Sequence, residues 1–349
     1  MGESDFAIFM KILIIGPNWV GDTVIAQSLV AKLKTNDPAA IVHLVAPPWT
    51  APLGQRMEGV ARTLEFAARH GRLEFRRRLD VGMAMRKERY NLAIVLPNSL
   101  KAAIAPFVAG IPLRRGYVGE WRYPLLNDVR SLDKGQLVRT VDRFVALAYD
   151  GQRNGFHSAA PVLRHDPEAA DAAIRRLGLD LTMPVIAMCP GAEYGPSKQW
   201  PASHFAELAR ILAGRGFAVW LLGSGNDLPI ATAIAEMAAD VTPRPVNLCG
   251  TTTLIEALDL LGKTSGVVSN DSGLMHVAAA IGRPVVALYG STTPKETPPL
   301  TGKARILEHV LPCRPCFERT CPLHHGDCLR LIHPQEVSAA LREICDLPV

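Results

Sequence analysis

Two hydrophobic periods alternate along this chain. Short apolar runs at 11–16 (KILIIG), Ile41–Ala46, Thr63–Phe66 and Leu92–Leu96 have the length of buried strands, and helix-like segments such as Thr23–Leu33 lie between them. Strands that are apolar on both faces and separated by helices predict a parallel sheet covered on both sides. At 151–167 the pattern loosens into GQRNGFHSAAPVLRHDP, which reads as a linker. The alternation then restarts, with strands at Val185–Met188, Ala218–Leu222, Val246–Leu248, Gly266–Ser269 and Pro284–Tyr289. Helices are predicted between them at His204–Ala213, Pro229–Ala238, Leu254–Leu261 and Leu274–Ile281. The fold class is therefore α/β, with two doubly wound Rossmann-like domains over 1–165 and 166–349. The last helix-like piece, Pro334–Ile344 (about 334–345), has no strand after it and is expected to pack back on the first domain.

A length of 349 residues fits two domains of ordinary size, and 48% hydrophobic against 20% charged residues excludes a disordered chain. No run of about 18 apolar residues occurs, so no transmembrane helix is predicted. The first nine residues lack the basic start of a secretory signal, and Met10 reads as an alternative start with 1–9 as an extension. Seven cysteines, an odd number, argue against a disulfide framework and for a reducing, cytoplasmic location.

Charge is distributed unevenly. Residues 1–165 hold 23 of the 38 Lys+Arg and 14 of the 33 Asp+Glu, a net +9, whereas 166–349 hold 15 and 19, a net −4. A basic half suits an anionic partner, although Arg-rich helices can also simply solvate an outer face.

The candidate chemistry lies in loops after strands, because ligands of doubly wound sheets bind at the carboxyl ends of the strands. Gly16-Pro-Asn-Trp-Val-Gly21-Asp22 joins the first strand to the first helix. Asp22 reads either as a helix N-cap or as a carboxylate placed for chemistry. The loop is not the G-x-G-x-x-G of a nicotinamide oxidoreductase. Ser269-Asn-Asp271-Ser272-Gly273-Leu-Met-His276 ends a strand and opens a helix, where free backbone N–H groups suit a pyrophosphate. His276 lies one turn inside, as a core histidine or a phosphate contact. Lys198, in a Gly/Pro-shaped loop, offers a cation for phosphate. Ser224 and Asp227 suit a nucleoside, and Thr252 lies in a third loop of the same sheet edge.

The pairing of G-P-N-W-V-G-D with S-N-D-S-G-L-M-H resembles the bacterial ADP-heptose:lipopolysaccharide heptosyltransferases, over nearly the whole chain. The segment Cys313-Arg-Pro-Cys316 through Cys321 to Cys328 is similar to the branch that adds the second inner-core heptose; a sister enzyme adding the first or a later heptose is the alternative. The resemblance implies two Rossmann-like domains facing a cleft (GT-B), with ADP-heptose on the C-terminal one. It implies Asp22 as general base, inversion at the anomeric carbon, and leaving-group stabilisation by Lys198 and Asp271-Ser272-Gly273, with no cofactor required for catalysis. The implied acceptor is anionic heptosyl-Kdo2-lipid A at the cytoplasmic face of the inner membrane, with peripheral association there and no nucleic acid partner. The basic half should face that acceptor, through Lys101, Arg114, Arg115, Arg122 and Arg130, with Arg76-Arg77-Arg78 nearby. Cys313, Cys316, Cys321 and Cys328 have ligand types suited to structural zinc, with free thiols and disulfides as the other readings.

Overall fold

The computed structural model describes residues 10–66, 74–151 and 158–345. The extension 1–9 and the middle of the expected linker lie outside the described residues. The chain divides into two compact units, 1–161 and 162–349. The division falls four residues before the expected boundary because Leu163 N–H already bonds to Ala280 in the second unit.

In the first unit the strands are β1 (Lys11–Ile15), β2 (Ile41–Ala46), β3 (Val60–Glu65), β4 (Leu92–Val95), β5 (Leu113–Tyr117) and β6 (Asp128–Arg130). They form one sheet in the order β3-β2-β1-β4-β5-β6, parallel throughout. Helices α1 (Val20–Asn36), α2 (Phe75–Arg86), α3 (Leu100–Val108) and α4 (Thr140–Ala146) complete the unit. The centre of β1 is buried and apolar, as a parallel strand covered on both faces must be, and the buried stretch of α1 takes in Thr23, Gln27 and Ser28 beside its aliphatic residues.

The second unit repeats the plan. Its strands are β7 (Val185–Cys189), β8 (Ala218–Leu221), β9 (Val246–Asn247), β10 (Gly266–Asn270), β11 (Val285–Tyr289) and β12 (Ala304–Glu308), in the order β12-β11-β10-β7-β8-β9. Counted from its own first strand this is again 3-2-1-4-5-6, so both units are Rossmann-like. Helices α5 (Pro167–Leu177), α6 (Ala202–Ala213), α7 (Leu228–Met237), α8 (Leu254–Leu261), α9 (Gly273–Ala280), α10 (Asp327–Arg330) and α11 (Pro334–Ile344) accompany the sheet. Local chemistry sets several ends. Asp166 caps α5 through Glu168 N–H and Ala169 N–H, and Thr253 with Glu256 forms a capping box on α8.

Helix α11 packs on the second unit's own α6 and β10–β12, burying Val337, Ala340 and Leu341, while Trp200 Nε1 donates to Ile332 O at 2.9 Å just before it. Its buried apolar stripe thus lies against that sheet face. Strands β5, β6 and β12 escaped the periodicity reading because Arg114-Arg115 interrupts one and the other two are short or half-exposed edges.

Candidate functional site

Each sheet has one point where strand order reverses, between β1 and β4 in the first unit and between β7 and β10 in the second. Loops diverge there and leave a crevice at the carboxyl ends of the strands. Of the predicted residues, Asp22 follows β1 at the first point, and Lys198, Asp271, Ser272, Gly273 and His276 follow β7 and β10 at the second.

At the second, Asn270 at the end of β10 is fully buried and joins the loops: its Oδ1 accepts from Trp200 N–H at 3.1 Å and its Nδ2 donates to Pro190 O at 2.7 Å. Asp271 follows, 5% exposed. Its Oδ2 accepts from Lys198 Nζ at 2.6 Å and from Thr292 Oγ1 at 2.6 Å. Lys198 comes from a 3-10 turn, Pro196–Lys198, and its ammonium lies 5.0 Å from the Tyr194 ring centroid. Ser272 is the N-cap of α9 and Gly273 its first residue, so the first amides of α9 begin beside the Lys198–Asp271 pair. His276 is buried in the second turn; burial pushes its imidazole down to about 4 although the Asp271 carboxylate opposes this, so the ring is neutral at pH 7. An ammonium, its paired carboxylate, a helix start and a neutral ring thus meet at one place.

The nucleoside candidates are placed differently from one another. Ser224 Oγ and N–H both donate to Asp227 Oδ2 at 2.8 Å, so this pair shapes its own loop. Gly191 is needed there, since a Cβ would lie 2.2 Å from the Asp227 carboxyl carbon. Thr252 has a buried Oγ1 with no hydrogen-bond partner among the described residues. Thr292 was missed by the sequence reading; its signal was its position just after β11, on the same edge.

At the first unit's reversal point, Asp22 is the third residue of α1, whose N-cap is Trp19. The capping reading is therefore corrected: its half-buried carboxylate sits in the first turn, where the macrodipole favours negative charge. At the carboxyl ends of the same strands, Asn18, Ser99, Arg78 and Lys101 line a cavity of about 70 Å³.

Four of the acceptor candidates are corrected. Arg115 is 3% exposed and pairs with Asp128 and Asp150, both at 2.6 Å. Arg122 is 1% exposed and donates to Tyr117 O, Pro97 O and, at 3.1 Å, Asn98 Oδ1; burial pushes its guanidinium down to about 10. Arg114 donates to Leu125 O at 2.7 Å and to Ile111 O. Their charge is spent on carbonyls and carboxylates of the fold. Arg130 likewise pairs with Asp128, and Arg78 is buried, donating to Lys101 O at 2.9 Å, whereas Arg76 and Arg77 are exposed.

Cys313, Cys316, Cys321 and Cys328 are half-exposed, unbridged, and line one cavity of about 270 Å³ with His324 and His325. Among the described residues no three His, Cys, Asp or Glu side chains converge to hold a metal ion. Backbone N–H groups, foremost that of Gly326, hold the Cys321 thiol below its ordinary value. The segment braces the anion site: Phe317 N–H donates to Ser291 O at 2.9 Å, Ser197 N–H to Arg319 O at 3.1 Å, and Arg314 Nη2 to Thr292 O at 3.0 Å.

Comparison with known proteins follows this geometry. The sequence pattern of "Glycosyltransferase family 9 (heptosyltransferase)" matches residues 78–326. The chain belongs to this family. It is 45% identical over 308 residues to "Lipopolysaccharide heptosyltransferase 2" of Escherichia coli K12, covering 86% of this chain and 88% of that protein. The solved structure "E. coli ADP-heptose lps heptosyltransferase II" matches with a TM-score of 0.85 at 40% identity, covering 96% of this chain and 98% of that one. "Lipopolysaccharide heptosyltransferase 1" of Pseudomonas aeruginosa is 30% identical over 171 residues, 44% of this chain and 46% of that protein. The fold expected from the family, two Rossmann-like units of the GT-B class, is the fold observed, and the chain is a glycosyltransferase of the heptosyltransferase family.

Proposed function

We propose that this enzyme transfers L-glycero-D-manno-heptose from ADP-heptose onto the first heptose of heptosyl-Kdo2-lipid A, with inversion at the anomeric carbon. The observation that carries the reading is Lys198, held by Asp271 at 2.6 Å beside the start of α9, because this is an anion site at the point where the strand order reverses.

In the proposed step, Asp22 takes the proton from the acceptor hydroxyl as its oxygen attacks the anomeric carbon. The bond from that carbon to the β-phosphate oxygen breaks, and ADP takes the electron pair. Lys198 and the amides of Ser272 and Gly273 stabilise the charge that develops on the leaving diphosphate. Positive charge from these groups means that the scheme calls for no divalent metal and no other cofactor. His276, neutral through burial, packs under the phosphate site as a donor or acceptor without adding charge. Lys101, beside Asn18 and Ser99, is the acceptor-side cation of this reading, with Arg76 and Arg77 outside it.

No helix among the described residues is long and apolar enough to cross a membrane. The enzyme is read as acting from the cytoplasm, associating peripherally with the inner membrane that holds its acceptor. The test is ADP release from ADP-heptose with a mono-heptosylated Kdo2-lipid A acceptor, comparing wild type with Asp22→Ala. Acceptor-dependent turnover that collapses in the variant, with ADP-heptose still bound, is expected. Full turnover in the variant removes the base assignment, and wild-type turnover restricted to an acceptor lacking heptose moves the enzyme to the sister reaction.

A further inference from the structure

The chain has five tryptophans. Trp200 and Trp220 are buried, whereas Trp19, Trp49 and Trp121 are 44%, 53% and 87% exposed. All three exposed rings lie on one edge of one sheet. Trp49 follows β2, Trp19 follows β1 and Trp121 follows β5, and because the strands are parallel their carboxyl ends open on the same side. The loop after β4 lies between the last two and ends at Ser99, the N-cap of α3, whose second residue is Lys101. Neighbouring strands are about 4.8 Å apart, so these loops make a continuous row over four strands. Burial normally claims large aromatic side chains, and a row left in water is an observation that asks for a ligand.

The rings are held in place. Trp49 Nε1 donates to Asn18 O at 2.8 Å, which fixes its orientation against the loop that carries Trp19. Around Trp121 the side chains alternate out, in, out: Trp121 and Tyr123 are exposed, while Arg122 between them is anchored on Tyr117, Pro97 and Asn98. Glu120 is tied through its carboxylate to Leu100 N–H at 2.8 Å. Glu120 and Trp121 both have left-handed backbones, φ 37° and 55°, which cost energy for residues other than glycine and persist because these anchors hold them. A bulky ring displayed on a strained, anchored loop binds with little further loss of freedom.

We propose that the edge Trp49–Trp19–Trp121, with Tyr123, is a carbohydrate-stacking platform that binds the sugar rings of an acidic oligosaccharide acceptor. The C–H face of a pyranose ring is apolar while its rim is hydroxylated, and aromatic faces flanked by polar groups match both. Asn18, Ser99 and Lys101 in the adjoining cavity supply the polar partners, and Lys101 suits a sugar carboxylate or phosphate. Asp22 stands in the first turn of the helix whose N-cap is Trp19. The identity of the acceptor rests on the function proposed above; the stacking itself is tested separately.

The test uses the full chain and a lipid-free acceptor oligosaccharide released from heptosyl-Kdo2-lipid A, followed by acrylamide quenching of tryptophan fluorescence. Trp200 and Trp220 are shielded, so the quenchable signal reports this edge. The oligosaccharide should protect that signal, and Trp121→Ala should raise the acceptor KM at least about fivefold, as truncation of an interface aromatic does, with the KM for ADP-heptose unmoved. Trp121→Phe should recover part of the loss. Because Trp121 is almost wholly exposed, the alanine variant should melt like wild type. Protection by anionic phospholipid vesicles but not by the oligosaccharide would overturn the proposal in favour of a membrane-docking edge. Unprotected fluorescence together with wild-type acceptor kinetics in Trp121→Ala and Trp49→Ala would overturn it outright. Failure of the proposed reaction is distinguishable, since it removes acceptor-dependent ADP release from the wild type itself.

Discussion

Thr292→Val tests whether the anion site depends on the bond that fixes Asp271. Valine nearly matches threonine in shape, so the change removes one hydroxyl donor and opens no cavity. That hydroxyl donates to Asp271 Oδ2 at 2.6 Å, with both residues under a tenth exposed. A hydrogen bond to a charged group contributes about 1.5–3 kcal/mol, and Asp271 keeps its Lys198 partner, so a loss of about 2 kcal/mol is expected. For a unit of this size each kcal/mol lowers Tm by about 2–4 °C, giving a fall of about 4–8 °C. The same carboxylate orients Lys198, and if all of that free energy bore on the leaving group, kcat/KM for ADP-heptose would fall by up to about 30-fold. Thermal melting and steady-state kinetics on wild type, Thr292→Val and Thr292→Ser provide the assay, with serine restoring most of both losses. A valine variant that melts within about 1 °C of wild type and keeps its kcat/KM would refute the reasoning, because a bond so placed and buried cannot be silent on both measures.

Two further expectations follow from buried charge. The His276 imidazole titrates near 4 in the folded chain against an unfolded value of 6.5, so the unfolded chain binds more protons between those limits and stability rises with pH across them. This contribution is fully present above about pH 6.5 and is lost as pH falls toward 4, amounting to roughly 3 kcal/mol; His276→Gln should flatten the slope of unfolding free energy over pH 4–6.5, and an unchanged slope would count against a buried neutral ring. Arg122→Met should destabilise the first unit by roughly 3 kcal/mol, because the carbonyls of Tyr117 and Pro97 lose their donor. A variant that melts like wild type while its acceptor KM rises would instead return Arg122 to the role of an acceptor contact.

Much of the architecture was legible because parallel strands covered on both faces must be apolar at successive positions, as in KILII of β1 and VIAMC of β7. Where that condition fails the reading failed too: β5 carries Arg114 and Arg115, and β12 is a half-exposed edge. Cations were the least legible feature. Arg115 and Arg122 read as surface charge in a basic half, and the structure places both in the interior, where aspartates and loop carbonyls take up their donors. The cysteine segment had metal-ligand spacing, yet its thiols surround a cavity without converging, and its backbone braces the loops of Lys198 and Thr292.

By itself the sequence determined the class of fold, the two-unit plan, the loops in which chemistry would lie, and Asp22, Lys198 and Asp271 as residues to examine. Those features are local: burial of an apolar run and the start of a helix depend on a few consecutive residues. Tertiary structure alone decided which charges are bound up within the fold. Lys198 and Asp271 meet across 73 positions of sequence, Thr292 joins them from 21 further on, and the exposed tryptophans align only because strands remote in sequence are parallel neighbours. The physical reason is range. A hydrogen bond or ion pair acts over about 3 Å, and which groups come that close is set by the packing of whole elements, not by the residues on either side in the chain.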